Sequence, residues 1–481
     1  MVRFAIWAGA AGLLVVLLAA VATSVKHRQE IDGTSDEQKV ARSLEIIRTS
    51  TPAHRKVLKV LFYGQSITLS GWHKAVVEHW RQTYPNTVFV VENRALGGFA
   101  SPALERTTEE DIAAFYPDLI VFHVYGDHHA YERIIRMFRS RTAADIIVQT
   151  DYGNTLPEPP CDEGLHFSLH RPPGCAGFLW LHQREWYDEM SYHKVPAFAA
   201  KYQLAVEPQR TWWRDYLLRN HVEAASMVLP DHTHPNDAGK ALMAAFFNRY
   251  FDHLVESWNG ETEHHVTSIL PADVPVRDGQ STIQFDGSRL EMLTSKPIAP
   301  WPNVSIDGQS PGQIDGCYLV TRASPTQTVP TWPGVRRVSL AGDHTSEDWT
   351  ATITNMSPDQ KSFDFTVKGS VTGEDGGGSS GRDFVSNSGK LRIAADDWMF
   401  ARAFELSHVP THTPFEVHWS VTDVCGDHPE VIDEGDGAMQ YRYVLGAGLS
   451  DAAHTARLPL AANDVTSVTE FRAYKPPLQA N

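Results

Sequence analysis

The feature that most constrains this chain is an alternation of short apolar runs with amphipathic segments between Lys56 and Trp258. The runs Val57 to Phe62, Thr87 to Val91, Leu119 to Phe122 and Asp145 to Gln149 each have the length of a buried strand. Between them Trp72, Val76, Val77 and Trp80 recur at three- and four-residue spacing, which predicts a helix, and Ile112 to Phe115 and Tyr131 to Phe138 predict two more. Strands joined by helices close as right-handed crossovers, so the segment predicts a parallel sheet. A long insertion from Asp151 to about Trp180 follows the fourth strand, and helices are expected over Val195 to Tyr202, Trp212 to Arg219 and Ala238 to Leu254.

A chain of 481 residues exceeds one ordinary core. At its start, Arg3 precedes an apolar stretch from Phe4 to about Val25, and Ala20-Val21-Ala22 fits the small-x-small pattern of a cleavage site. The same stretch has roughly the length, about 20 residues, that spans a bilayer. Residues 1–25 are therefore expected to direct export, either as a cleaved signal peptide or as a retained membrane anchor, to a secreted, periplasmic or cell-surface location. Residues 26–55 read as a polar lead-in with a short helical pattern at Glu37 to Ile47, and residues 56–258 as the α/β domain. Residues 259–481 carry Ser281 to Phe285, Arg337 to Leu340, Trp349 to Ile353, Phe363 to Val367 and Phe415 to Val421, short strand-like runs punctuated by turn residues, which predict a β-sandwich-like region. Within it Gly373 to Gly381 is expected to be a mobile loop. Cys161 and Cys175 share one Pro/Gly-rich loop, while Cys317 and Cys425 lie in the C-terminal part. Pairing within each part is the simplest of the three connectivities that four cysteines allow, and it fits an oxidising compartment. The net charge of −16 repels phosphate backbones and argues against nucleic acid as a partner. The sequence leaves the oligomeric state open.

Three segments carry side chains suited to acyl-transfer chemistry. Gly64-Gln65-Ser66 places a serine between a buried strand and a helix, at the carboxyl edge of the sheet where open α/β folds bind ligands; taken alone, the serine also fits a helix cap. Asp231-x-x-His234 precedes the last helix of the α/β part. An imidazole can take a serine proton, and a carboxylate three residues earlier can hold the other ring nitrogen. That offset favours His234 over His232. Asn93 to Gly98 supplies a glycine loop whose backbone N–H can approach an acyl oxygen. The histidines His123, His128, His129, His232 and His234 lack the spacing of a helical zinc motif, so no metal and no cofactor is expected.

Together these segments resemble the SGNH hydrolases, or GDSL-type esterases, over Lys56 to Leu254. The resemblance rests on Tyr63 to Thr68, Asn93 to Gly98, His123 to His129 and Asp231 to His234. It implies a flavodoxin-like three-layer α/β/α fold, with Ser66 as nucleophile and Asp231 and His234 completing a triad. It also implies an oxyanion hole from the N–H groups of Ser66 and Gly98. The asparagine that completes this hole in the family is replaced by His128, a side chain that can also donate; Asp127 could fix its tautomer, and His129 and His123 are alternative donors. Gln65 stands where the name-giving motif has aspartate, a Gly-Gln-Ser variant similar to that of carbohydrate acetylesterases. The implied substrate is a short-chain, O-acetyl ester on carbohydrate. Gln65, Trp72, His73 and Asp127 are candidate substrate contacts, and Trp180 and Trp186 are further aromatic candidates. The other readings are a lipolytic esterase or thioesterase, disfavoured by the lack of a long apolar lid, and a non-catalytic glycan-binding protein on the same scaffold.

Overall fold

The computed structural model describes residues 34–153, 186–260, 265–342, 344–435, 437–459 and 466–479. Residues 1–25, Cys161, Cys175 and Trp180 lie outside them. The α/β part is built on five parallel strands, β1 (Lys56–Gly64), β2 (Thr87–Asn93), β3 (Leu119–His123), β4 (Asp145–Gln149) and β5 (Ala205–Glu207), in the order β2-β1-β3-β4-β5. That order is flavodoxin-like and leaves a crevice where the strand order reverses, at the carboxyl ends of β1 and β3. Alternate residues of β1 feed opposite layers: Leu58, Val60 and Phe62 pack with helices Ala41–Thr49, His73–Thr83, Gln209–Asn220 and Asp237–Ser257. Leu61 and Tyr63 pack with Ser101–Phe115, His128–Arg141 and Val195–Tyr202.

For residues 34–55, the described part of the segment read as a lead-in, the structure corrects that reading. Val40, Leu44, Ile46 and Ile47 are buried in the first of these layers. Arg42 pairs with Asp118 at 3.0 Å and the Ser43 amide donates to Asp145. The segment reads as polar because its outer face is polar; its apolar face is part of the core.

The fifth strand was also not anticipated, because three residues ending in glutamate carry no strand pattern. Glu207 is fully buried. Its Oε2 has only the Gln149 amide, at 3.4 Å, and its Oε1 has no partner among the described residues. Burial pushes its carboxyl up to about 8, against an ordinary value of 4.5. The folded chain thus holds the proton more tightly than the unfolded chain. Stability from this site is complete below pH 4.5 and is lost as pH rises toward 8. Glu207→Gln is expected to stabilise the protein by about 4 kcal/mol at pH 8 and by nearly nothing at pH 4, as read by denaturant unfolding at both pH values. An equal effect at both would contradict the buried, protonated carboxyl.

The C-terminal region forms two β cores, one inserted in the other. The first draws on residues on either side of the insertion, from Val274 to Cys317 and from Cys425 to Ala473. The second runs from Val320 to Val421. Strands Tyr318–Val320 and Phe415–Asp423 pair where the insert begins and ends, and the Cys317–Cys425 disulfide closes the neck beside them. Gly373 to Gly381, expected as a mobile loop, is instead largely strand: Gly373–Ser379 pairs with Asp364–Gly369. Glycine is needed there by close packing. A Cβ on Gly377 would lie 2.5 Å from the Phe365 carbonyl oxygen, and one on Gly378 would lie 3.0 Å from the Phe365 ring.

The insert docks on the α/β domain through charge and aromatic contacts. Arg106 grips the buried Asp397 through two hydrogen bonds of 2.8 and 2.5 Å. Arg337 meets Glu109 at 2.8 Å, and Arg322 donates to both Asp111 and the Arg94 carbonyl. Trp332, Met399 and Ala403 join the hydrophobic layer of Leu96, Phe99 and Leu104.

Candidate active site

Ser66 is set at the crevice by backbone geometry. Gly64 ends β1 so close to β3 that a Cβ on it would lie 2.0 Å from the His123 carbonyl oxygen. Gln65 then caps the short helix Ser66–Leu69, its side-chain oxygen accepting from the Ile67 amide. As the first helical residue, Ser66 has an N–H with no acceptor inside that helix.

His234 reaches the same point from the other end of the domain. Its Nε2 lies 2.8 Å from Ser66 Oγ, and its Nδ1 lies 2.7 Å from Asp231 Oδ2. Asp231 Oδ1 accepts from the Thr233 and His234 amides at 2.9 and 3.0 Å. These two backbone donors and the His234 ring hold its carboxyl far below the usual range, so it stays ionised. The loop is pinned by the Leu229 amide donating to the His234 carbonyl and by the Tyr152 hydroxyl donating to the Thr233 carbonyl. Asn236 then caps the helix Asp237–Ser257 through the Gly239 amide.

The loop after β2 faces Ser66. Asn93 braces it: its Oδ1 accepts from the Ala95 amide at 3.0 Å, and its Nδ2 donates to the Thr68 carbonyl at 2.9 Å. The Leu96 amide donates to the Gly64 carbonyl. Gly98 has φ +78°, a conformation that favours glycine. Its amide has no acceptor among the described residues. The Trp332 indole covers the loop from outside and donates to the Gly97 carbonyl. These elements enclose a cleft of about 790 Å³. Its floor is Gln65, Ser66 and Gly98, and its walls include Tyr125, Trp186, Tyr187 and Trp332.

Ser66, Asp231, His234 and Gly98 thus converge, with Gln65 and Trp186 beside them, and the other described candidates do not. His128, expected as a third oxyanion donor, does not line the cleft. It opens the helix His128–Arg141 with its ring 5.5 Å from that of Trp186. Burial, followed by the Lys194 ammonium, depresses its pKa. Asp127 does not line the cleft; its carboxylate caps that helix by accepting from the Ala130 amide. Trp72 is a core residue packed edge-on against Phe62. His73 tilts against Phe62 and meets the Asn93 amide at 3.0 Å; burial and the Lys74 charge push it down to about 4. Gln65 lies in the floor with its amide turned to the protein. Trp186 does line the cleft, its indole donating to the Gly126 carbonyl.

Sequence reasoning missed the contribution of the inserted β core. Val329, Thr331, Trp332 and Leu406 all border the cleft, and Trp332 meets Gly97 across 235 residues of sequence. No local pattern marks such a contact. Asp151, on the loop after β4, was missed as well. No cluster of three or more histidine, cysteine or acidic side chains arranged to hold a metal occurs among the described residues.

No protein-family model and no curated protein matches this chain. Among solved structures it is similar to a two-domain esterase (CEX) active on acetylated mannans and co-crystallized with mannopentaose, at 12% identity over 92% of this chain and 96% of that chain, with a TM-score of 0.33. It is also similar to Axe2, an acetylxylan esterase from Geobacillus stearothermophilus, at 17% identity over 43% of this chain and 97% of that chain, with a TM-score of 0.31. A third is LAE5, an alpha/beta hydrolase enzyme from the metagenome of Lake Arreo, Spain, at 16% identity over 41% of this chain and 96% of that chain, with a TM-score of 0.31.

Proposed function

We propose that the chain is an exported serine esterase that removes short acyl groups, acetyl above all, from carbohydrate. The observation that carries this reading is the unbroken contact from Ser66 Oγ to His234 Nε2 and from His234 Nδ1 to Asp231. A nucleophile, a base and an ionised orienting group in hydrogen-bond sequence are what acyl transfer to serine needs.

In the proposed cycle Ser66 Oγ attacks the acyl carbonyl carbon as its proton passes to His234 Nε2. The Ser66 and Gly98 amides donate to the resulting oxyanion. The C–O bond to the alcohol breaks as His234 returns the proton to the leaving oxygen. Water then enters and gives a proton to His234, and its hydroxide attacks the acyl carbon. Collapse releases the carboxylic acid and restores the proton to Ser66. Asp231 holds the imidazole tautomer and stabilises the imidazolium at each stage.

Two features support a carbohydrate ester over a long acyl chain. The base and its partner sit at an open rim, with side chains 34% and 48% exposed, which suits an acyl group projecting from a bulky alcohol. The walls present Tyr125, Trp186 and Tyr187, rings on which sugars can stack. The export reading rests on residues 1–25 of the sequence alone. Assays on p-nitrophenyl acetate and octanoate, with acetate release from acetylated mannan and xylan oligosaccharides, test the proposal. We expect acetate release, and kcat/KM for octanoate at least about tenfold below that for acetate. Preference for octanoate would favour the lipolytic reading, and no turnover of any ester would favour the glycan-binding one.

A further inference from the structure

The Ser66 hydroxyl has one hydrogen and two acceptors. Gln65 Oε1 lies 2.7 Å from Ser66 Oγ, and His234 Nε2 lies 2.8 Å from it on the other side. The Gln65 amide is not free to turn and relieve this. Its Oε1 also accepts from the Ile67 amide at 3.1 Å, so a flip would set two donors against each other. Its Nε2 faces His123 Nδ1 at 3.5 Å, and His123 Nε2 faces Asp151 Oδ1, also at 3.5 Å. A carboxylate at that end favours the Nε2–H tautomer of His123, leaving Nδ1 as acceptor for the Gln65 amide. Gln65 and His123 are both buried. The row therefore runs in one direction, from the Ser66 hydroxyl through Gln65 and His123 to Asp151.

This arrangement is not neutral toward the protonation of His234. With neutral His234 the single hydroxyl proton leaves one pair of lone pairs facing each other, either Oγ against Gln65 Oε1 or Oγ against His234 Nε2. With protonated His234 both contacts are satisfied: Nε2–H donates to Oγ, and the Ser66 hydroxyl donates to Gln65. We propose that Gln65, its amide locked by Ile67, His123 and Asp151, is a positioning residue that favours the protonated form of His234 and so sets the pH at which the Ser66–His234 pair becomes competent. The inference takes from the proposed function only that this pair is the working one.

The ionisable groups around the pair are Asp231 on the His234 loop, Asp151 and Tyr152 after β4, Tyr125 after β3, and Tyr187 on the far wall. His123 lies beneath Gln65, and His232 is exposed on the same loop as His234. All of them remain when Gln65 alone is changed, so the comparison isolates its side-chain acceptor.

The test is an NMR titration of full-length protein with carbon-13-labelled histidine, in wild type, Gln65→Met and Gln65→Glu. The His234 signal is assigned by its loss in His234→Gln. Gln65→Met removes the acceptor, and its midpoint is expected to fall by about half a pH unit or more. Gln65→Glu keeps an acceptor and adds charge, and its midpoint is expected to rise by at least as much. The acid limb of kcat/KM on p-nitrophenyl acetate should move with each midpoint. Midpoints that agree within about 0.2 unit in all three proteins, or that move in the opposite directions, overturn the inference. Should Gln65→Met fail to fold, Gln65→Leu takes its place as the variant whose sign decides, because a rise in Gln65→Glu alone follows from its added charge. Absent turnover would sink the esterase reading, while the titration would still judge the role of Gln65.

Discussion

Ser66→Ala is expected to lower kcat on p-nitrophenyl acetate by about 10⁴-fold or more while leaving unfolding unchanged. The alanine removes the atom that forms the acyl-enzyme and leaves a partly exposed site at a helix start, where the backbone keeps its conformation. His234→Ala should cost about the same, because a serine hydroxyl without its base is a poor nucleophile at neutral pH. Since the two act as a unit, the double variant should be hardly slower than either single one. Asp231→Asn should cost no more than these, on the order of 10⁴-fold, because an amide there favours the wrong imidazole tautomer. Asp231 also organises the loop through the Thr233 and His234 amides, and the asparagine oxygen can keep one of these contacts. Independent, multiplicative losses at Ser66 and His234 would mean that their 2.8 Å contact is structural and that the residual activity comes from elsewhere.

What the sequence made legible follows from how local each signal is. Strands β1, β3 and β4 lie in the interior of a covered sheet and are mostly apolar, so their runs stand out, and the edge strand β2 keeps an apolar run of its own at Val88 to Val91. Strand β5 has three residues and one of them is a buried glutamate, a pairing fixed by its neighbours and not by composition. The helical pattern at Glu37 to Ile47 reads as peripheral, because the core face of the helix Ala41–Thr49 shows only when the layer it packs on is known. The glycine run at 373–381 reads as a loop by composition, yet tertiary packing against Phe365 is what selects glycine there. Ser66 and His234 were legible because each sits beside a recognisable boundary, strand to helix for one and loop to helix for the other. Position in a motif points to His128 as a donor, but its ring packs beside Trp186 and does not line the cleft.

Gly98→Ala is expected to lower kcat by about 10²- to 10³-fold with little change in KM, the loss that follows when one oxyanion donor is displaced. Two independent obstacles produce it. An alanine is strained at φ +78°, and its Cβ would stand 2.9 Å from Trp332 Cζ2, so either the loop or the indole must move. The indole is not free to yield. It stacks edge-on against Phe99 and is tied to the Gly97 carbonyl, and the Arg106–Asp397 and Arg322–Asp111 pairs anchor the insert that carries it. Trp332→Ala alone should cost about tenfold, because the loop loses its outer wall but keeps the Asn93 and Gly64 braces. Combining the two removes the steric obstacle while leaving the backbone strain. The double variant should therefore be faster than the product of the single losses allows, and comparable to Gly98→Ala or better. Strictly multiplicative losses in kcat would show that Trp332 and Gly98 act separately, and that the inserted β core merely borders the cleft without holding its oxyanion loop in place.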